Sequence, residues 1–206
     1  MGPESELRWF YVTVSHDERP NMTGSEAKPP VTDALRAEAR ANPGSWIYAV
    51  DPGFDGQAEV PPEGIVGAWR ADEKGELTDE FTPNARYLPT PQARGWEEPL
   101  SILERVLQLV LSGYLPEAQL PQEFAAAEVF VFDGPNGALF FAPAQDAGRL
   151  VYAYTDAQKA AASGYAEHRT TTGSELAAAL PDDVRIALNP GSLVSAIIQP
   201  ADVPRA

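Results

Sequence analysis

Few side chains in this 206-residue sequence could do chemistry. An acyl-transfer relay needs a histidine within hydrogen-bond reach of a nucleophile, and the chain has only His16 and His168. His16 falls in a polar N-terminal stretch. His168 lies in Tyr165-Ala-Glu-His-Arg-Thr170, between a helix and a strand, with no Gly-x-Ser-x-Gly elbow to partner it, so it reads as a surface or edge-strand histidine. The absence of cysteine excludes disulfides, thiolate catalysis and thiolate metal sites.

Asp51 to Glu59 places Asp51, Asp55 and Gly56 at the first, fifth and sixth positions of a calcium loop. The match then breaks: Gly53 and Pro62 hold the third and twelfth ligand places, and a strand rather than a helix enters. It reads as a solvated acidic loop. Both phosphate-cradling glycine patterns are absent. Asp133-Gly-Pro-Asn-Gly137 joins two strands as a hairpin turn. Asn189-Pro-Gly-Ser192 has the Pro and Gly placement of a type II turn, whose backbone amides could also face a ligand. These residues predict no catalytic group, no cofactor and no metal.

The elements that would position them are legible in order. Residues 1–30 form an arm or linker: Arg8 to Val14 has β propensity, while Ser15 to Pro30 is polar and rich in Pro and Gly. It is either an added edge strand or a disordered arm, and a translation start at Met22 is a third alternative. The sequon at Asn21 is read as chance, since Trp9 to Val14 fails as a signal peptide. Thr32 caps a helix to Ala41, stopped by Asn42-Pro-Gly44. Strands follow at 46–50 and 64–69, then a hairpin turn at 71–75 and a strand near Glu80. Thr82 to Pro99 is a proline-rich structured coil.

Leu100 to Leu111 reads as a helix apolar enough to be buried on more than one side, joining an N-terminal half (31–118) to a C-terminal half (119–206). In the latter, 128–133, 139–142, 150–154 and 184–188 are aliphatic and aromatic runs predicted to make a four-stranded sheet. The fold class expected is α+β, with two sheet-and-helix halves and mainly antiparallel strands.

Thirty acidic against fifteen basic residues give a formal charge of −15, which repels nucleic acid and anionic membrane surfaces. No window reaches the roughly 18 apolar residues of a membrane span. A cytoplasmic protein that binds neither nucleic acid nor membrane is expected.

Two sets of short motifs carry a resemblance. In the second half, an Ala-rich turn precedes an aliphatic strand, then Val151-Tyr-Ala-Tyr-Thr155 with a short helix behind it, a Gly-Ser-Glu-Leu helix, and the late Asn189-Pro-Gly-Ser192. This order resembles the SseB-like N-terminal domain. In the first half, Pro43-Gly-Ser-Trp46, Ala49-Val-Asp-Pro52, Val60-Pro-Pro-Glu-Gly64 before Val66-Gly-Ala-Trp69, and Phe81-Thr-Pro-Asn-Ala-Arg-Tyr87 resemble the type VII secretion system-associated protein family. In that family such a half precedes an SseB-like half, through a helix ending in a Gly-Tyr pair, here Gly113-Tyr114.

The resemblance covers about residues 32 to 203, and residues 1–30 depart from it. Tyr152-Ala-Tyr-Thr-Asp156 satisfies the Tyr-x-x-x-Asp/Glu signal of type VII cargo, but it lies in a strand and no Trp-x-Gly accompanies it. A component retained inside is therefore expected rather than a cargo.

The resemblance implies a non-enzymatic accessory or protein-interaction protein associated with type VII secretion. Its partner would be a protein, a secretion-system component among the choices. Trp46, Trp69, Trp96 and Tyr114 are candidate aromatic anchors, with burial in a core as the competing reading. The alternative is a small-molecule binding or hydrolytic protein using a cleft between the halves. Oligomeric state is left open.

Overall fold

A computed structural model of the chain describes residues 28–134, 137–144, 148–165 and 168–205, together with the backbone of 10–13. His16, the sequon at Asn21 and the Met22 start lie outside the described residues. The fold is α+β with mainly antiparallel sheets. The chain divides into two compact units between Glu97 and Glu98.

In the first unit, β1 (Phe10–Thr13), β2 (Trp46–Val50), β3 (Ile65–Ala71) and β4 (Leu77–Pro83) form one sheet in that order. β1 runs parallel to β2, so part of the N-terminal stretch is an edge strand. Helix α1 (Asp33–Ala41) starts where Thr32 accepts a hydrogen bond from the Leu35 amide, with Asp33 at the positive helix end. Leu35 and Ala39 from α1 pack with Ile47, Ala49, Val66 and Trp69 from the sheet to form the core.

Asp55 to Glu59 are exposed, as expected of a solvated loop, but Asp51 at its start is not. Asp51 is fully enclosed at the end of β2, and its carboxylate accepts hydrogen bonds from Gly53 N (2.8 Å), Tyr87 Oη (2.8 Å), Thr90 N (3.1 Å) and Thr90 Oγ1. Water is replaced by four protein donors, which is what permits a buried carboxylate. The same bonds tie the proline-rich coil to the sheet. Among the described residues no group of three His, Asp or Glu side chains could hold a metal ion.

The second unit opens with α2 (Ile102–Leu111), capped by Ser101, and α3 (Gln119–Ala126). Its sheet has the order β10-β9-β7-β5-β8: β5 is Glu128–Phe132, β7 Arg149–Tyr154, β8 His168–Thr172, β9 Val184–Leu188 and β10 Ala196–Ile198. β6 (Phe141–Pro143) pairs with β7 beside this path. The four expected strands are present and are joined by β8 and β10.

Short helices α4 (Ala157–Ala162) and α5 (Gly173–Ala179) complete the unit, α5 opening on a reciprocal Thr172–Glu175 capping box. β7 and β9 run parallel, and β9 reads as a nearly continuous apolar run, as strands covered on both faces do.

The expectation that α2 is buried on more than one side fails. Leu103, Glu104, Leu107 and Gln108 form one buried stripe, while Ile102 is 71% and Leu111 40% exposed. The inner face can hold a carboxylate because Glu104 has Lys159 as an internal partner, and part of the apolar surplus stays outside. Among the described residues no helix is long and apolar enough to cross a membrane.

Candidate functional site

Because β7 and β9 are parallel neighbours, their carboxyl ends leave the sheet side by side, the place where open α/β sheets commonly bind ligands. After β7 come Thr155 and Asp156, and Asp156 caps α4 by accepting from the Lys159 amide at 2.9 Å. After β9 comes the Asn189 to Ser192 turn, closed by Ser192 N donating to Asn189 O at 3.1 Å, with Gly191 at φ 84°. Asn189 itself has φ 50° and is the one non-glycine residue with positive φ among those described. Asparagine tolerates that left-handed backbone better than other side chains because it bonds locally.

The local bonds are specific. Asn189 N donates to Ala153 O at 2.8 Å, its Oδ1 accepts from Thr155 N at 3.0 Å, and its Nδ2 donates to Thr155 Oγ1 at 3.1 Å. Thr155 Oγ1 in turn donates to Asp156 Oδ2 at 3.1 Å. The Tyr154-Thr155 pair and the Asn189-Pro-Gly-Ser192 turn, 34 residues apart in sequence, thus form one buried hydrogen-bonded unit.

Lys159 extends the network. Its Nζ lies 2.7 Å from Glu104 Oε1 and 3.4 Å from Asp156 Oδ2. Burial pulls the ammonium down, but the hydrogen bond and charge of Glu104, followed by Asp156, outweigh it and leave the pKa raised. The second Glu104 oxygen accepts from Leu100 N at 3.1 Å, so this carboxylate secures both the start of α2 and the lysine.

Above the network lies a cleft of about 520 Å³ lined by Tyr152, Tyr154, Tyr165, Lys159, Ser163 and the Asn189 turn. The tyrosines belong to an aromatic group with Phe132 and Phe140, in which Phe132 and Tyr165 ring centroids are 4.5 Å apart. Burial pushes the Tyr154 phenol up, opposed by a hydrogen bond to Ser163.

A second concavity in the same unit, a groove of about 770 Å³, runs along β10 between its free edge and the α2–α3 helices. Ile197 on β10 is 52% exposed there, beside Leu111 of α2. Glu117 and Asp202 are the two ionisable groups lining it among the described residues, and both are acidic.

The residues singled out from sequence are dispersed. Trp69 is fully enclosed in the first core against Phe81 at 4.5 Å, so it cannot meet a partner; its Nε1–H has no acceptor among the described residues. Trp46 and Trp96 are half-buried, stacked with Arg70 and Arg94 at 5.5 and 5.4 Å. Tyr114 is half-buried after α2. His168 is exposed at the start of edge strand β8, where its ring meets Phe130 edge-on at 5.5 Å. It does not line the tyrosine cleft.

Sequence reasoning missed Lys159, Glu104 and Asn189 as a unit. Asp156 three residues before Lys159 was a visible N-cap signal, but nothing in the sequence linked either to Glu104.

Fold and site together define a mainly antiparallel α+β protein whose second unit carries an aromatic cleft and an open sheet edge. Scans against family models, curated proteins and solved structures find no match to the chain.

Proposed function

We propose that this chain is a non-enzymatic accessory protein that acts on the cytoplasmic side by binding another protein, in the type VII secretion setting that the resemblance of its two halves implies. The observation that carries the reading is the groove along β10. It combines a strand edge unpaired among the described residues, exposed Ile197 and Leu111, and acidic rims. Uncovered apolar side chains beside polar rims are characteristic of protein-docking surfaces.

Crosslinking in the native host, with subsequent purification of the tagged full-length chain, tests it. The expected result is a near-stoichiometric protein partner, with a secretion-system component enriched. Recovery of the chain alone, at endogenous expression and with efficient crosslinking, would refute it.

A second reading is supported by the tyrosine cleft: a small ligand seated on the three rings beside Lys159, within the second unit. Thermal-shift screening of a metabolite panel separates the two. A ligand that raises the melting temperature in proportion to its occupancy and leaves partner capture unaltered favours the small-molecule reading. His168 lies on the exposed edge strand and does not line this cleft.

A further inference from the structure

We infer that the groove along β10 receives an extended, basic segment of a partner protein, which adds to the sheet as a strand on the free edge of β10. This rests on the interaction reading above and specifies the partner's chemistry. β10 pairs antiparallel with β9 through Ala196, Ile197 and Ile198, and among the described residues the sheet order ends there. In an antiparallel pair, alternate residues direct both backbone groups away from the neighbour, so β10 presents amide and carbonyl groups along its outer edge.

Three observations select the occupant. The strand alternates between Ile198, which is 2% exposed, and Ile197, which is 52% exposed, so an added strand gains an apolar neighbour as well as backbone bonds. The ionisable groups lining the groove are Glu117 and Asp202, with no Lys or Arg among the described lining residues to oppose them, which favours a segment carrying Lys or Arg. A second copy of the chain is a poor candidate, because each copy carries a formal charge of −15.

A partner helix fits less well than a strand. It would cover the edge without supplying main-chain partners and leave those groups desolvated, whereas an extended backbone satisfies them.

The test uses the full chain and three synthetic heptapeptides: alternating Lys-Val, alternating Glu-Val, and Lys-Val methylated at every second backbone nitrogen. Binding is read by fluorescence anisotropy at low salt, and the position by amide hydrogen exchange. The Lys-Val peptide is expected to bind and to slow exchange at residues 196–198. Glu117→Lys with Asp202→Lys, both exposed positions, should weaken it about five- to tenfold, as two screened surface ion pairs allow. Backbone methylation should weaken it at least about tenfold through lost edge bonds.

Equal binding of the methylated peptide, equal binding of Glu-Val, or an unchanged affinity in the double variant would each overturn the proposal. So would concentration-dependent dimerisation that protects the same three amides. Crosslinks from a cellular partner that map to another face overturn the groove assignment and leave the interaction reading standing. Recovery of no partner removes the reading on which it rests.

Discussion

Replacing Asn189 probes whether the two loop motifs behind the cleft act as one unit. Asn189 is 0% and Thr155 2% exposed, so water cannot take over the bonds between them. Asn189→Ala removes the acceptor of Thr155 N at 3.0 Å and the donor to Thr155 Oγ1 at 3.1 Å. A buried donor left without an acceptor costs about 1–3 kcal/mol. Asparagine carries the same Cβ, so alanine adds no new clash at φ 50°; both bear the roughly 1–2 kcal/mol that a Cβ costs there, and only glycine escapes it.

The lost bonds alone therefore predict a loss of about 1–3 kcal/mol, a large share of an ordinary domain's stability. Asn189→Gly removes the same bonds without the steric penalty, and so should be about 1 kcal/mol less damaging than alanine. Urea unfolding monitored by far-UV circular dichroism measures both. The tryptophans all precede Glu98 in sequence, and the three described ones, Trp46, Trp69 and Trp96, lie in the first unit, so their fluorescence provides an internal reference. Equal losses for Ala and Gly would show that backbone strain is absent. A loss below about 1 kcal/mol for Ala would show that the hydrogen-bonded unit contributes little.

Asp51→Ala strands the buried Thr90 amide together with three other donors, so urea unfolding read by tryptophan fluorescence should show a loss of about 3–5 kcal/mol. Gly173→Ala would place a Cβ 1.8 Å from Phe124 O at the start of α5, a backbone clash that α3 can relieve only by moving; the expected loss is above about 3 kcal/mol, measured by circular dichroism. The raised Lys159 pKa favours the charged form in the folded chain. Its contribution is therefore full below the ordinary lysine value, about 10.4, and is lost as pH rises through the folded value. Lys159→Met should flatten the alkaline decline in stability, measured by circular dichroism from pH 9 to 12. An unchanged slope would assign that decline to other groups such as the buried Tyr154 phenol.

How much of this was legible in sequence depended on whether the governing interaction is local. Helix α1 was readable because Thr32 and Asn42 bound it within one element, and β9 because a Val184 to Leu188 run interrupted only by Arg185 suits a strand covered on both faces. β8 was harder: His-Arg-Thr-Thr-Thr has no alternating apolar face, and it is a strand because β5 holds it in register from Glu128↔Thr172 to Phe132↔His168. Helix α3, read only as an Ala-rich turn, carries Pro121. The proline is accommodated in the first turn, where its missing N–H leaves no intrahelical bond unmade.

The candidate site shows the same division more sharply. The turn at Asn189 and the cap at Asp156 were local signals, yet their joint meaning depends on the parallel pairing of β7 with β9, which brings Thr155 and Asn189 together across 34 residues. Glu104 was hidden more deeply still. In the sequence it interrupts an apolar helix and looks like the solvated side of an amphipathic stripe, but it is 1% exposed because Lys159 and Leu100 N meet its two oxygens. A charge that would be expelled if unpaired is retained by partners 55 residues downstream and four residues upstream. Ile102, on the opposite side of α2 from Glu104, is exposed, and Leu111 at the last turn of the helix becomes part of the groove along β10. One internal ion pair therefore keeps a carboxylate on the buried stripe of α2, while the end of the same helix supplies apolar surface to the groove.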